Sequence, residues 1–436
     1  MKHHAFLAAA VLATLSTSLH AADALPAFPG AEGLGAKATG GRGKEVVEVT
    51  NLNDDGASSL RDALSRGNRT VVFRVSGTIN LKTTLRLTEP NVTIAGQTAP
   101  GGGICLRGKE LQIRGDNVIV RFMRFRPGDE LKQEHDALTL WNAKNVIVDH
   151  CSMGWSTDSV SDVVKGSREV TIQWCIIAEP LNASVHVKGA HGYGTGWGYG
   201  SYHHNLIAHC ASRSPRLGAD PSRGLCDVRN NVIYDWGFGW AYGGENADVD
   251  LVNNYFKAGP SSEHNKCIFN VWQSTSRVFL SGNVLEGNDE VTADNYKGLI
   301  SEKTIYPQNA DVEAVKVTRP NQTVPITEQS AKEAYDLVLA KAGATLPQRD
   351  AVDTRVVQSV RDRSGKVINS QNDVGGWPEL ISTEPPVDSD HDGMPDAWET
   401  AHGLNPTDDK DGAVAPQQGG YTNLELYLNE LASKAP

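Results

Sequence analysis

Asp136, Asp158 and Asp162 are carboxylates of the type that hold a hard divalent cation, and Arg213-Ser214-Pro215-Arg216 adds two guanidinium groups further along the same stretch. Carboxylates around a cation can neutralise an acidic substrate, and a nearby arginine can steer it or act on its proton. Asp158 and Asp162 are four residues apart. In extended chain that is about 13 Å, too far for one ion, so they share a site only if the chain turns between them. The plain alternative is exposed loop acids. Lys188, just before His191-Gly192-Tyr193-Gly194, is a further cation candidate. Asp149 and His150 follow the apolar Ile147 and Val148, a setting that more often means a solvated or hydrogen-bonded pair than a catalytic one. His203, His204 and His209 suggest zinc, but adjacent residues of a strand face opposite ways, which sets His203 and His204 apart.

A second acidic group lies near the C-terminal end. Asp388, Asp390, Asp392, Asp396 and Glu399 stand at positions 1, 3, 5, 9 and 12 of a loop with Gly393 at position 6. Calcium loops supply hard oxygens at this spacing and use the glycine for a sharp turn. Nothing in the segment resembles a nucleophile or base, so its expected role is structural.

These residues need a scaffold that brings distant stretches together. Short apolar runs recur in one frame: Val148-Asp149-His150-Cys151, Ile172-Gln173-Trp174-Cys175, Tyr202-His203-His204-Asn205, Val228-Arg229-Asn230-Asn231, Leu251-Val252-Asn253-Asn254 and Leu280-Ser281-Gly282-Asn283. The period is roughly 23 to 30 residues, as in stacked repeat architectures. Each run is too short for a helix and is bounded by Gly, Asn, Asp and Ser. One unit cannot bury its own apolar face; parallel stacking buries them all. The recurring asparagine predicts a ladder of side-chain amides from coil to coil, with Cys151 and Cys175 in the same column. The expected fold is an all-β, right-handed parallel β-helix, its hand taken from the crossover rule.

The rest of the chain fits around that solenoid. Residues 1–21, with Lys2, an apolar run and a small-residue exit, read as a signal peptide, which implies a secreted protein, extracellular or periplasmic. Residues 22–382 form the β-helix domain, with a short Ser-capped helix over 58–64 closing its open end and another over 330–342 with a Ser330–Glu333 capping box. A Pro-containing linker at 382–387 leads to the acidic tail, 383–436. No later stretch is apolar enough to span a membrane. The net charge of -11 argues against nucleic acid as a partner and would repel a polyanion unless cations intervene. Six cysteines show no metal-ligand spacing and are expected mainly as buried thiols.

Taken together, Gly56-Ala57-Ser58-Ser59-Leu60-Arg61-Asp62-Ala63, Val71-Val72-Phe73 leading to Gly77-Thr78-Ile79, Gly96-Gln97-Thr98-Ala99-Pro100-Gly101-Gly102-Gly103, Val148 to Ser152, Trp155-Ser156-Thr157-Asp158 and Arg213 to Arg216 resemble the extracellular pectate lyases of polysaccharide lyase family 1, from Phe28 to about Asn283. The resemblance implies that Asp136, Asp158 and Asp162 bind calcium, with Asp158 where many relatives have Glu. It implies that Arg213 is the catalytic arginine and Arg216 a substrate-carboxylate contact. Relatives often carry Arg-x-Pro-x-x-Arg; here Gly218 fills the last place and Arg216 stands in for it. The family's substrate lysine has Lys188 as its nearest counterpart. The implied reaction is β-elimination on polygalacturonate by a monomer dependent on calcium. Competing readings are a pectin lyase or other uronan lyase, a β-helical glycoside hydrolase using paired carboxylates such as Asp149 and Asp158, and a noncatalytic wall-binding solenoid.

Overall fold

The computed structural model describes residues 25–218, 223–302 and 309–435. The leader read at 1–21 lies outside the described residues. The remainder winds as a parallel β-helix with three faces. One sheet has ten strands, from Glu45–Val49 to Arg277–Ser281. The second has nine, from Gly77–Asn80 to Val284–Leu285, and the third nine, from Leu85–Leu87 to Leu299–Ile300.

A single coil shows how the sequence produces the turn. Lys144–Asp149 lies in the first sheet, Ser152–Gly154 in the second and Ser159–Val164 in the third, after which Arg168–Gln173 begins the next coil. Val146, Val148, Met153, Val160 and Val163 point inward into the core, while Ile147 alternates outward and packs beneath Phe28 and Ala31. The corner between first and second sheets is two residues long. His150 takes the left-handed conformation there (φ 50°), and Trp174, His204, Asn230 and Asn253 repeat the same bend. That bend turns the next residue, the column read from the sequence, into the core.

The frame read from the sequence is the frame of the structure. Val148, Ile172, Tyr202, Val228, Leu251 and Leu280 are successive register partners. The asparagine ladder is continuous. Asn205, Asn231, Asn254 and Asn283 are buried, and each one's Nδ2 donates to the Oδ1 of the next at 2.9 to 3.1 Å, ending on Asn295. Their backbone amides donate to the same oxygens, and the Cys175 amide joins the top of the ladder at 2.9 Å. All six cysteines are free and buried.

Ser59 caps the helix Leu60–Ala63, whose Leu60 and Ala63 join the core at the first coil. Ser330 and Glu333 form the expected capping box of the helix Ala331–Lys341. A further helix, Ala351–Asp362, packs with it over the second sheet against Ile176, Leu206 and Val232. The acidic tail is docked rather than free. Met394, Leu424 and Leu428 bury against Ala95, with Val46 alongside, and the ion pairs Asp388–Arg74 (3.6 Å) and Glu425–Arg42 (2.7 Å) with the hydrogen bond between His391 Nδ1 and Glu48 Oε2 (2.9 Å) tie it to the first coils. Among the described residues no helix is long and apolar enough to cross a membrane.

Asn231→Leu removes a ladder rung, leaving the buried amide donors of Asn205 without their acceptor and taking a donor from the Tyr202 carbonyl and from Asn254 Oδ1. The expected loss is about 3 kcal/mol of unfolding free energy, measured by urea titration; a loss below about 1 kcal/mol would mean that the ladder contributes little to stability.

Candidate functional site

The third sheet carries the site. Thr139, Asp162, Gly196 and Arg216 are register partners on four adjacent strands, so their side chains stand in one outward row. Asp158 immediately precedes the strand Ser159–Val164, and Asp136 lies two residues before Leu138–Trp141. The corner between second and third sheets lies before Asp158, and the extended strand Ser159–Val164 runs from it through Asp162, so the turn between Asp158 and Asp162 that one shared ion would need is not made.

Each acid is fixed by its neighbours. Asp136 Oδ1 accepts from the Ser159 amide at 3.0 Å, and Oδ2 accepts from Thr139 Oγ1 at 2.7 Å. Asp162 Oδ1 accepts from the Gly196 amide at 2.7 Å. A Cβ at Gly196 would fall 2.7 Å from that oxygen, so only glycine lets the carboxylate lie flat on the neighbouring strand. Burial, then the charges of Asp162 and Asp158, push the Asp136 carboxyl well above the usual range. Burial also raises Asp162, helped by Asp158 and opposed by Arg213. Burial would raise Asp158 too, but the hydrogen bond and charge of His191, then Arg213, hold it low.

Arg213 faces the same region. Its Nη1 donates to Ser159 Oγ at 2.6 Å and stands 3.8 Å from Asp162 Oδ2. Its guanidinium carbon is 4.8 Å from the centre of the Tyr193 ring. Burial works against its charge, yet Asp162, with Tyr242, Asp158 and Asp136, raises its pKa further. Arg216 pairs with Glu245 at 2.5 Å and lies 5.2 Å from the Trp272 ring centre. Lys188 is exposed on a neighbouring loop, where its amide donates to His186 Nδ1 at 3.1 Å.

That loop brings residues the sequence reading passed over. His191 Nε2 donates to Asp158 Oδ1 at 3.0 Å, and His186 stacks on His191 with ring centres 3.7 Å apart. Glu134 Oε1 accepts from the Val187 amide at 2.8 Å. Asp158, His186 and His191 bring ligand atoms within 4.8 Å of one another, whereas Asp136, Asp158 and Asp162 do not form such a group among the described residues. The imidazole pair could have been suspected from two histidines five apart in a glycine-bearing loop. Nothing in that spacing ties them to Asp158.

Other candidates are committed elsewhere. Asp149 is buried on the first sheet and engaged by Arg121 at 2.8 Å, His150 at 2.9 Å and Gln173 at 2.8 Å. It therefore makes no acid pair with Asp158. His209 bonds to Asp235 and Ser359, and His204 to His203 and Gln329; none of the three histidines belongs to a metal-type cluster among the described residues.

In the tail, Asp388, Asp390 and Asp392 converge, and Asp392 also meets Glu399 and Asp411. Glu399 is fully buried with neither carboxylate oxygen hydrogen-bonded, and Asp388 Oδ1, Asp390 Oδ2, Asp392 Oδ2 and Asp411 Oδ1 are likewise buried without a partner. Burial and the neighbouring carboxylates push Asp392 and Glu399 each up to about 7. Asp396 stands apart: its two oxygens accept from the Ser389 amide and hydroxyl, both at 2.7 Å. Asp411, twelve residues past Glu399, takes a place in the cluster that the loop spacing does not reveal.

No family model matches the chain. It is 35% identical over 430 residues to the probable pectate lyase C of Aspergillus terreus, spanning 94% of this chain and 95% of that one. With the probable pectate lyase C of Aspergillus flavus the identity is 36% over 433 residues, 95% and 96% of the two chains. Among solved structures, the major cedar-pollen allergen shares the fold at a TM-score of 0.50 and 19% identity, over 71% of this chain and 91% of that one. A thermostable pectate lyase does so at 0.50 and 16%, over 74% and 98%. Identity at the level of the Aspergillus proteins, sustained along nearly the whole of both chains, decides the matter: the chain belongs to the pectate lyase family.

Proposed function

We propose that the chain is a secreted, calcium-dependent lyase that cleaves polygalacturonate by β-elimination and leaves unsaturated oligogalacturonides. The observation that carries this reading is the position of Arg213 on the same wall as Asp136, Asp158 and Asp162, within 3.8 Å of Asp162. Two of these acids, Asp136 and Asp162, are raised in pKa first by burial and then by neighbouring carboxylates, Asp162 and Asp158 acting on Asp136 and Asp158 acting on Asp162, an arrangement that costs free energy unless a cation shares the site. The donors are hard oxygens, which suit calcium. Bound there, calcium would neutralise the uronate carboxylate and favour the charge that develops on it as the C5 proton leaves.

The remaining work falls to the chain. Arg213, steadied by Ser159 Oγ and flanked by Tyr193, is placed to take the C5 proton. The C5–H electrons form the C4–C5 double bond and the C4–O bond breaks with its pair on the leaving glycosidic oxygen. An arginine ordinarily stays protonated, and Asp162 strengthens that tendency here. Neutralising the acids would relax it, which links the base to the cation site. Arg216 would hold a substrate carboxylate in exchange for Glu245.

In the tail, the unpartnered oxygens of Asp388, Asp390, Asp392, Glu399 and Asp411 form a second hard-oxygen set. Calcium there would remove the repulsion among them and lock the tail onto the first coils.

Arg213→Lys is expected to lower kcat on polygalacturonate about 1000-fold, as loss of a positioned general base does, followed by ultraviolet absorbance of the unsaturated product. Wild-type turnover in that variant would remove Arg213 from the base role. Chelator should abolish cleavage by the wild type and lower its melting temperature; Glu399→Gln should lower the calcium-dependent part of the melting shift and leave turnover in place. A melting temperature indifferent to calcium would refute the tail site.

A further inference from the structure

The acids of the tail are spread too widely for one ion. A calcium ion sits about 2.4 Å from each oxygen that holds it. Its ligand atoms therefore stand no more than 4.8 Å apart, a limit that Asp388, Asp390 and Asp392 meet as one group of three and Asp392, Glu399 and Asp411 as another. Asp392 belongs to both, and among the described residues the five do not form a single group. Loop spacing alone would give Glu399 the same ion as Asp388; the fold groups it with Asp411 instead.

Asp388 Oδ2 accepts from the Gly393 amide at 3.1 Å, Asp392 Oδ1 from the Met394 amide at 2.9 Å and Asp411 Oδ2 from the Asn405 amide at 3.0 Å. The other oxygen of each is buried and accepts nothing, as is Asp390 Oδ2. Glu399 is wholly buried with both oxygens bare, and it reaches into the second group. An ionised carboxylate buried in this way needs a cation. Among the described residues the one ion pair that these five acids make is Asp388 with Arg74 at 3.6 Å, and Arg74 is shared with Glu48 at 3.2 Å. One divalent cation would offset two of the five negative charges; two would offset four. A Cβ at Gly412 would collide with the bare Oδ2 of Asp392, so glycine is what lets the Asp411 segment come this close. A hollow of about 240 Å³ borders Asp390, Asp392 and Asp409 and has room for the water that completes a calcium shell.

We propose that the tail binds two calcium ions side by side, one held by Asp388, Asp390 and Asp392, the other by Asp392, Glu399 and Asp411, with Asp392 bridging them. This rests on the proposed tail site and adds a second ion with its own task. The first ion closes the loop beside Arg74 and the first coils. The second fastens Asp411, whose carbonyl accepts from Asn423 Nδ2 at 2.9 Å at the start of the helix Asn423–Ala432. It thereby seats the helix that lays Leu424 and Leu428 on Ala95.

Two measurements on the full chain decide it. Wild-type crystals soaked in strontium, a stand-in for calcium, should show two anomalous peaks flanking Asp392, about 4 Å apart. Equilibrium dialysis against labelled calcium should find one ion fewer per chain in Asp390→Ala, one fewer in Asp411→Ala and two fewer in the double variant. An ion at the third sheet is common to all four proteins and cancels in the difference. Hydrogen exchange in the helix Asn423–Ala432 should quicken in Asp411→Ala and stay slow in Asp390→Ala; an equal rise in both would overturn the separate task of the second ion. A single peak, or a double variant that loses no more calcium than either single one, would overturn the two-ion assignment and leave one calcium in the tail. No peak in the tail would refute the tail site itself, and the second ion with it.

Discussion

Parallel register between coils is the constraint from which the site follows. A strand shifted by one residue would send Val146 and Val148 to the surface and Ile147 and Asp149 inward. It would also part Asp162 from Gly196 and Arg216. The asparagine ladder opposes such a slip because each buried amide finds its acceptor only on the correct neighbour. Apolar burial drives the coils together, but it is tolerant of small displacements; the amides are not. Precision at the acidic row is thus maintained from the opposite corner of the coil.

The second theme is crowding of like charge. In both acidic clusters the fold holds carboxylates closer than they would stand in water. Asp136 and Asp162 meet this with backbone and hydroxyl donors and with Arg213. The tail group has few such donors, and its buried oxygens face one another. Each group is partly balanced by one of the protein's own arginines, Arg213 beside Asp162 and Arg74 beside Asp388. On the proposed reading the first serves turnover and the second stability.

Much of this was legible in the residues, and the limits have physical causes. The ladder could be read because a solenoid repeats one environment, and a repeated environment selects a repeated side chain. Arg213 and the three aspartates could be named from motifs, yet which of them stand beside one another follows from coil-to-coil register that no spacing reveals. His186 and His191 reach Asp158 through a loop, where local pattern carries no register. The helix Ala351–Asp362 hid its signal, since its buried face is Val352, Val356, Val357 and Val360, all β-branched; packing on the second sheet overrides that preference. Asp396 fits the loop spacing but is drawn off by Ser389, while Asp411 enters from outside the loop.

The bond between Arg42 and Glu425 joins positions 383 residues apart. Synthesis runs from the first coil toward the tail, so Val46 and Ala95 emerge long before Met394, Leu424 and Leu428 exist to cover them. For that interval the early coils carry a wet apolar strip beside parallel strands. The helix Asn423–Ala432, which brings Leu424 and Leu428 and finally closes over it, therefore serves as an internal cover for the beginning of the fold, and a chain cut short before it would leave that strip bare and prone to self-association.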